Sequence, residues 1–122
     1  MNIKKLNEQL QYILEMSPNI PKKKTGLPVV VYVSPKQGSH NCRIKFQNQY
    51  GDNVIPSQYI PFLVQDNPEV DKKCKVPVKL SNKELNQIKQ WILQNRTVIE
   101  DYWYGRIDNP QVLLSKLTKL EI

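Results

Sequence analysis

His40 is the chain's one histidine, and Arg43 and Lys45 follow it closely. An imidazole can move a proton near neutral pH, and two adjacent cations can stabilise a pentavalent phosphate, which together is ribonuclease chemistry. No nucleophile–base pair accompanies them, and one titratable group beside basic residues is common by chance. The primary expectation is no catalytic residue, with a toxin-like endoribonuclease built on His40, Arg43 and Lys45 as the alternative. Cys42 stands two residues after His40, a spacing that turns both to one side of a strand. A structural zinc site takes four Cys or His ligands, and His40, Cys42 and Cys74 are all this chain has. Neither a metal nor a cofactor is expected. Two cysteines make no disulfide framework, so both are expected reduced, with Cys74 a thiol in a basic loop and no His or Asn partner.

Charge is the stronger signal. Eighteen Lys and Arg against eleven Asp and Glu give a formal net charge of +7, and such a domain attracts polyanions through its long-range field. The excess is mostly lysine, a hydrated point charge suited to loose phosphate contact rather than bidentate recognition. It falls in three groups: Lys22, Lys23 and Lys24; Arg43 and Lys45; and Lys72, Lys73, Lys75 and Lys79. If they converge they make a surface for nucleic acid, RNA ahead of DNA, or for a ribonucleoprotein, with Tyr32, Tyr50 or Tyr59 as stacking faces for unpaired bases. If they do not, they are three solvated loops with no common face.

The elements that must position these groups follow from periodicity. Ile3, Leu6, Leu10, Ile13 and Leu14 fall at helical spacing and predict an N-terminal amphipathic helix within 1–16, ended by Ser17-Pro18. Residues 17–26, with two prolines and three consecutive lysines, read as a mobile basic connector. The β-branched run 29–33, bounded by Pro28 and Pro35, predicts a buried strand. In the next strand Cys42, Ile44 and Phe46 alternate with Arg43, Lys45 and Gln47, so one face packs while the cations project from the other. A third strand is expected over 62–65, with Pro61 marking its start or an edge position. Residues 66–79 read as an exposed loop with at most a short edge strand.

Ser81 and Glu84 form a capping box opening a long helix, whose stripe runs Leu85, Ile88, Ile92, Ile99 and Trp103. Trp91 and Trp103 lie twelve positions apart, about a third of a turn out of phase, so one is expected on the sheet and the other on a terminal helix. Gly105 sits where a left-handed terminating residue belongs, and Asp108 or Asn109 caps a last helix with Pro110 in its first turn. That helix is expected to lay Val112, Leu113, Leu117 and Leu120 against the core.

The segment Cys42-Arg43-Ile44-Lys45-Phe46-Gln47-Asn48 followed by Tyr50-Gly51-Asp52, then Asp66-Asn67-Pro68, Lys79-Leu80-Ser81, Trp91-Ile92, Asn95 and Tyr102-Trp103 with Gly105, resembles a small family of bacterial and phage domains of unknown function found beside mobile-element and defence genes. The resemblance implies a context of accessory genes and no activity. A proline- and histidine-rich segment of some relatives is reduced here to Ser39-His40-Asn41.

The sequence therefore predicts one α+β domain over 1–122: an antiparallel sheet of about three to four strands, an N-terminal helix, a long helix packed on the sheet and a short C-terminal helix. No apolar run nears the roughly 18–20 residues of a spanning helix, and the N-terminus lacks the apolar stretch of a signal peptide, so a cytoplasmic protein with no membrane partner and no small-molecule cofactor is expected. The expected function is a non-enzymatic accessory protein that binds nucleic acid or a ribonucleoprotein effector, such as a CRISPR nuclease it would inhibit. The alternatives are the endoribonuclease and a protein-binding partner in a toxin–antitoxin pair.

Overall fold

The computed structural model describes residues 19–36 and 41–121; the expected helix within 1–16 lies outside them. The chain forms β1 (Asn19–Ile20), α1 (Lys22–Thr25), β2 (Val31–Tyr32), β3 (Arg43–Gln47), a 3-10 turn at Pro56–Gln58, β4 (Tyr59–Leu63), β5 (Glu69–Val70), α2 (Asn82–Gln94), α3 (Arg96–Trp103) and α4 (Pro110–Lys116). The strands pair in chain order as a five-stranded antiparallel sheet. The α+β architecture matches the expectation, with more strands than foreseen.

Alternation in β3 and β4 divides the molecule. Ile44 and Phe46 of β3 and Ile60 and Phe62 of β4 are at most 1% exposed on one face, where Ile88, Trp91 and Ile92 of α2 and Ile99 and Trp103 of α3 join them in the core. The Phe46 ring meets Phe62 at 5.3 Å and Trp91 at 6.4 Å, both edge-on, an orientation worth about 0.5–1.5 kcal/mol per pair beyond burial.

Residues 17–26 are not a mobile connector where they are described. Ile20 pairs with Val31 and is fully buried. Pro21 leads into the single turn α1, and Gly26 closes it at φ +75° with its N–H donated to the Lys22 carbonyl at 2.8 Å. A Cβ there would also meet the Leu120 backbone nitrogen at 3.4 Å, because Leu120 N–H donates to the Thr25 carbonyl at 2.8 Å. Proline and glycine delimit a short helix here, and burial of Ile20 holds it to the sheet.

Pro61 also departs from expectation: it lies mid-strand in β4, which pairs on both sides. The N–H and C=O of one strand residue point to the same neighbour. The Pro61 carbonyl accepts from Asp71 N–H at 2.9 Å, so the missing donor falls on the side of two-residue β5 and leaves the β3 ladder intact.

The capping box is present as expected: Ser81 Oγ accepts from Glu84 N–H and the Glu84 carboxylate from Ser81 N–H. The long helix bends where it meets Asn95, at φ −109° and ψ 13°. There the side-chain amide donates to the Trp91 and Thr118 carbonyls, both at 3.1 Å, and accepts from Thr118 N–H at 2.8 Å. A side chain competing with the backbone ladder produces such a bend. The bend resets the phase between Trp91 and Trp103, and both are buried. Trp91 rests on Phe46 of the sheet, and its Nε1 donates to the carbonyl of Thr118, just past the C-terminal helix, at 3.0 Å. Gly105, at φ +80°, and Asn109, accepting from Gln111 N–H at 2.7 Å, terminate and start helices as foreseen. In α4 Leu113 is buried but Val112 is 41% exposed, so it does not join the core.

Asn95 is thus a buried clip for the C-terminal segment. Asn95→Ala takes the acceptor from the Thr118 N–H while Trp91 Nε1 stays on the Thr118 carbonyl, and it is expected to cost about 1–3 kcal/mol in denaturant unfolding. A change under about 0.5 kcal/mol would show that the segment is held by other contacts.

Candidate polyanion-binding face

The same pleat that buries Ile44 and Phe46 turns Arg43, Lys45 and Gln47 to the opposite face. Cross-strand register places Tyr32 and Pro61 beside Lys45, Tyr59 beside Gln47, and Leu63 beside Arg43. The Tyr32 and Tyr59 rings lie 5.5 Å apart, and Lys45 Nζ stands 6.0 Å from the Tyr32 ring centre, at the outer reach of a cation–π contact. Tyr59 donates its hydroxyl to the Asn19 side chain, which fixes the ring against β1.

Two buried amides close loops over the end of this face. Gln47 Nε2 donates to the Ile55 carbonyl at 3.1 Å and Oε1 accepts from Ile55 N–H at 2.9 Å. Asn48 Nδ2 donates to the Pro77 carbonyl and Oδ1 accepts from Lys79 N–H, each at 2.7 Å. At the other end of the lysine loop Asp71 is fixed to β4, and its carboxylate accepts from Lys73 N–H at 3.0 Å. The loop 71–79 is therefore tied at both ends beside β3.

The result is a groove of about 270 Å³ whose lining includes Arg43, Lys45, Tyr59, Lys73, Cys74 and Lys75 and no carboxylate. Glu69 lies across β4 from Arg43, about 10 Å away at the usual strand spacing, while Asp71 borders the groove, its N–H on the Pro61 carbonyl and its carboxylate on the Lys73 N–H. Neither carboxylate is among the ion pairs of the described residues. Burial, and then the neighbouring Arg43, hold the Lys45 ammonium below the ordinary lysine value. Burial likewise raises Tyr59, whose phenol stays a neutral donor. Among the described residues the ion pairs belong to Arg96, with Asp66 and Glu100, and to Arg106, with Asp101; no lysine joins one.

Lys22, Lys23 and Lys24 do not converge on this groove. Lys22 and Lys23 line a separate, wider depression of about 800 Å³ with Lys83 and Tyr50; Tyr50 is 72% exposed, and Lys22 Nζ sits 4.5 Å over its ring. Lys24 lies beside Lys23 and Lys119. Lys79 is exposed on the strap between the two depressions, and Lys72 is exposed on neither lining. The basic residues thus form two clusters, rather than one face or three unrelated loops. Lys83 and Lys119 fall outside the three basic groups of the sequence. Lys83 is marked only by its place two residues after the cap, and Lys119 joins through the Leu120–Thr25 hydrogen bond, for which the sequence carries no sign.

His40 lies outside the described residues, so the alternative constellation is represented by Arg43 and Lys45 alone. Both cysteines are free. Cys42 is buried, and its thiol is pushed up to about 12 by burial and then by the nearby Glu100, which leaves it unreactive at neutral pH. Cys74 is half-buried, and its Sγ donates to the Val76 carbonyl at 3.4 Å. Among the described residues no three His, Cys, Asp or Glu gather as metal ligands, and no helix is long and apolar enough to cross a membrane.

Fold and face together define a small α+β protein with a basic, tyrosine-flanked outer sheet surface. In comparisons with known proteins, no family model, curated protein or solved structure matches the chain.

Because Arg43 supplies the smaller part of the depression of Lys45, Arg43→Gln is expected to move the Lys45 titration part-way back toward the ordinary value. The Lys45 Cε resonance, followed by NMR from pH 8 to 12, reads this directly. An unmoved midpoint would mean that the two side chains do not share a field.

Proposed function

We propose that this protein is a non-enzymatic binder of nucleic acid, RNA ahead of DNA, that engages it free or within a ribonucleoprotein through the outer face of its sheet. The observation carrying this reading is the groove in which Arg43, Lys45, Lys73 and Lys75 stand together without a carboxylate, beside Tyr59. Phosphates are the ligands that relieve such a cluster, since neutralising them releases condensed counterions and supplies sequence-independent affinity. The lysine-rich composition suits backbone contact, and the tyrosines offer faces on which an unpaired base can lie. The finer setting comes from the resemblance alone: an accessory protein of phages and genomic islands, acting as an inhibitor of a ribonucleoprotein defence effector such as a CRISPR nuclease.

Binding of a labelled single-stranded RNA should weaken steeply with salt. With four phosphates engaged, log K against log salt should fall with a slope of about −3. Lys45→Gln should reduce that slope by about 0.7 and weaken binding alike across sequences. A slope near zero in the parent protein would refute the reading and favour a protein partner.

A further inference from the structure

The wider depression around Lys22, Lys23, Lys83 and Tyr50 has no part in the groove on the sheet, yet the chain connects the two. Val76 lines the sheet groove and Ser81 the wider depression, and five residues of chain span at most about 18 Å. Between them the strap is held by Asn48 at Pro77 and Lys79, with the Lys79 side chain exposed midway. The wider depression contains two carboxylates, and both are engaged by protein donors. Glu84 takes the Ser81 N–H and hydroxyl at 3.0 and 2.9 Å, and Asp52 takes the Lys22 N–H at 3.4 Å. Tyr50 is the most exposed large hydrophobic residue among those described, and nothing in the core needs its ring there.

We infer that the Lys22–Lys23–Lys83–Tyr50 depression is a second contact for the same single strand that occupies the sheet groove, reached along Lys79. At about 3.4 Å per phosphate in a stacked strand, an 18 Å step takes about five nucleotides, and fewer if the strand is extended. A strand long enough to reach both sites binds the second in an intramolecular step, at the high effective concentration that a short link provides. Tyr50 then acts as a stacking platform, which accounts for an aromatic side chain held in solvent under a lysine. The inference rests on the reading that the sheet groove binds nucleic acid.

Oligouridylates test it, because they are unpaired and carry little sequence preference. A dodecanucleotide should bind at least about tenfold more tightly than a tetranucleotide. The triple variant Lys22→Gln, Lys23→Gln and Lys83→Gln should remove most of that difference while leaving the tetranucleotide within about twofold of the parent, which also shows that the variant is folded. A charge-matched variant, with Lys36, Lys72 and Lys116 changed to Gln instead, should keep the difference, and Tyr50→Leu should lower dodecanucleotide affinity at least about fivefold. Equal loss in the two triple variants, or no gain with length, overturns the second contact and leaves the sheet groove standing. Failure of both oligonucleotides to bind overturns the two readings together.

Discussion

The two-residue period of β3 is the constraint on which the rest depends. Because Ile44 and Phe46 must face the helices to bury their side chains, Arg43 and Lys45 have no choice but the other face. A shift of one residue in the pairing with β4 would exchange the sets, placing two cations in the core, so the burial that sets the register also sets the site. Five paired positions between β3 and β4, from Arg43↔Leu63 to Gln47↔Tyr59, fix that register.

What the sheet does not position, buried amides do. Gln47, Asn48 and Asn95 are each at most 2% exposed, and each spends its side chain on backbone groups of a distant segment: Ile55, Pro77 with Lys79, and Thr118. A primary amide has both a donor and an acceptor end, so it can replace one rung of a strand ladder for a loop that cannot form one. An apolar side chain at these positions would leave backbone groups unpaired at about 1–3 kcal/mol each. The loops carrying Lys73, Lys75, Lys79 and Lys119 are in this way tied to the core by hydrogen bonds beside the packing of Cys74, Leu80, Leu117 and Leu120, which leaves their lysines free to face solvent.

This division explains what the sequence made legible. Alternation in 42–47, the Ser81–Glu84 box, Gly105 and Pro110 are local signals in which neighbouring residues settle the outcome, and those elements stand where the pattern places them. The turn at Lys22–Thr25 has its local marks in Pro21 and Gly26, but its tie to Leu120, like the bend at Asn95 with its partner Thr118, depends on residues far along the chain, which a window of local sequence does not show. Pro61 misleads for a related reason. Its missing N–H tells against a central strand unless the neighbour on that side is as short as β5, and the length of β5 is itself a tertiary outcome. For the site, β3 named Arg43 and Lys45 by period alone. Lys73 and Lys75 are held beside them by the Asn48 clamp on Pro77 and Lys79, and an asparagine in sequence does not say which loop it will hold; Lys22 to Lys24 follow Ile20, which pairs with Val31 instead.

The electrostatic arrangement argues for a ligand more than for stability. Arg43 and Lys45 stand two strand residues apart, about 7 Å along the backbone. Unit charges at that distance repel by about 0.6 kcal/mol in water and about 2.4 kcal/mol at an effective dielectric of 20, the lower figure applying where the side chains reach solvent. Elsewhere acids answer the arginines, as Asp66 and Glu100 do for Arg96; around Lys45 none is within pairing distance, and its ammonium is held down by burial and then by Arg43. A phosphate entering the groove reverses the balance, because its negative charge favours the protonated lysine that burial and Arg43 disfavour. By linkage, a ligand that prefers the charged ammonium must raise its proton affinity. Binding at this face is therefore coupled to the protonation of Lys45, and affinity should fall as pH rises through that group's depressed titration range.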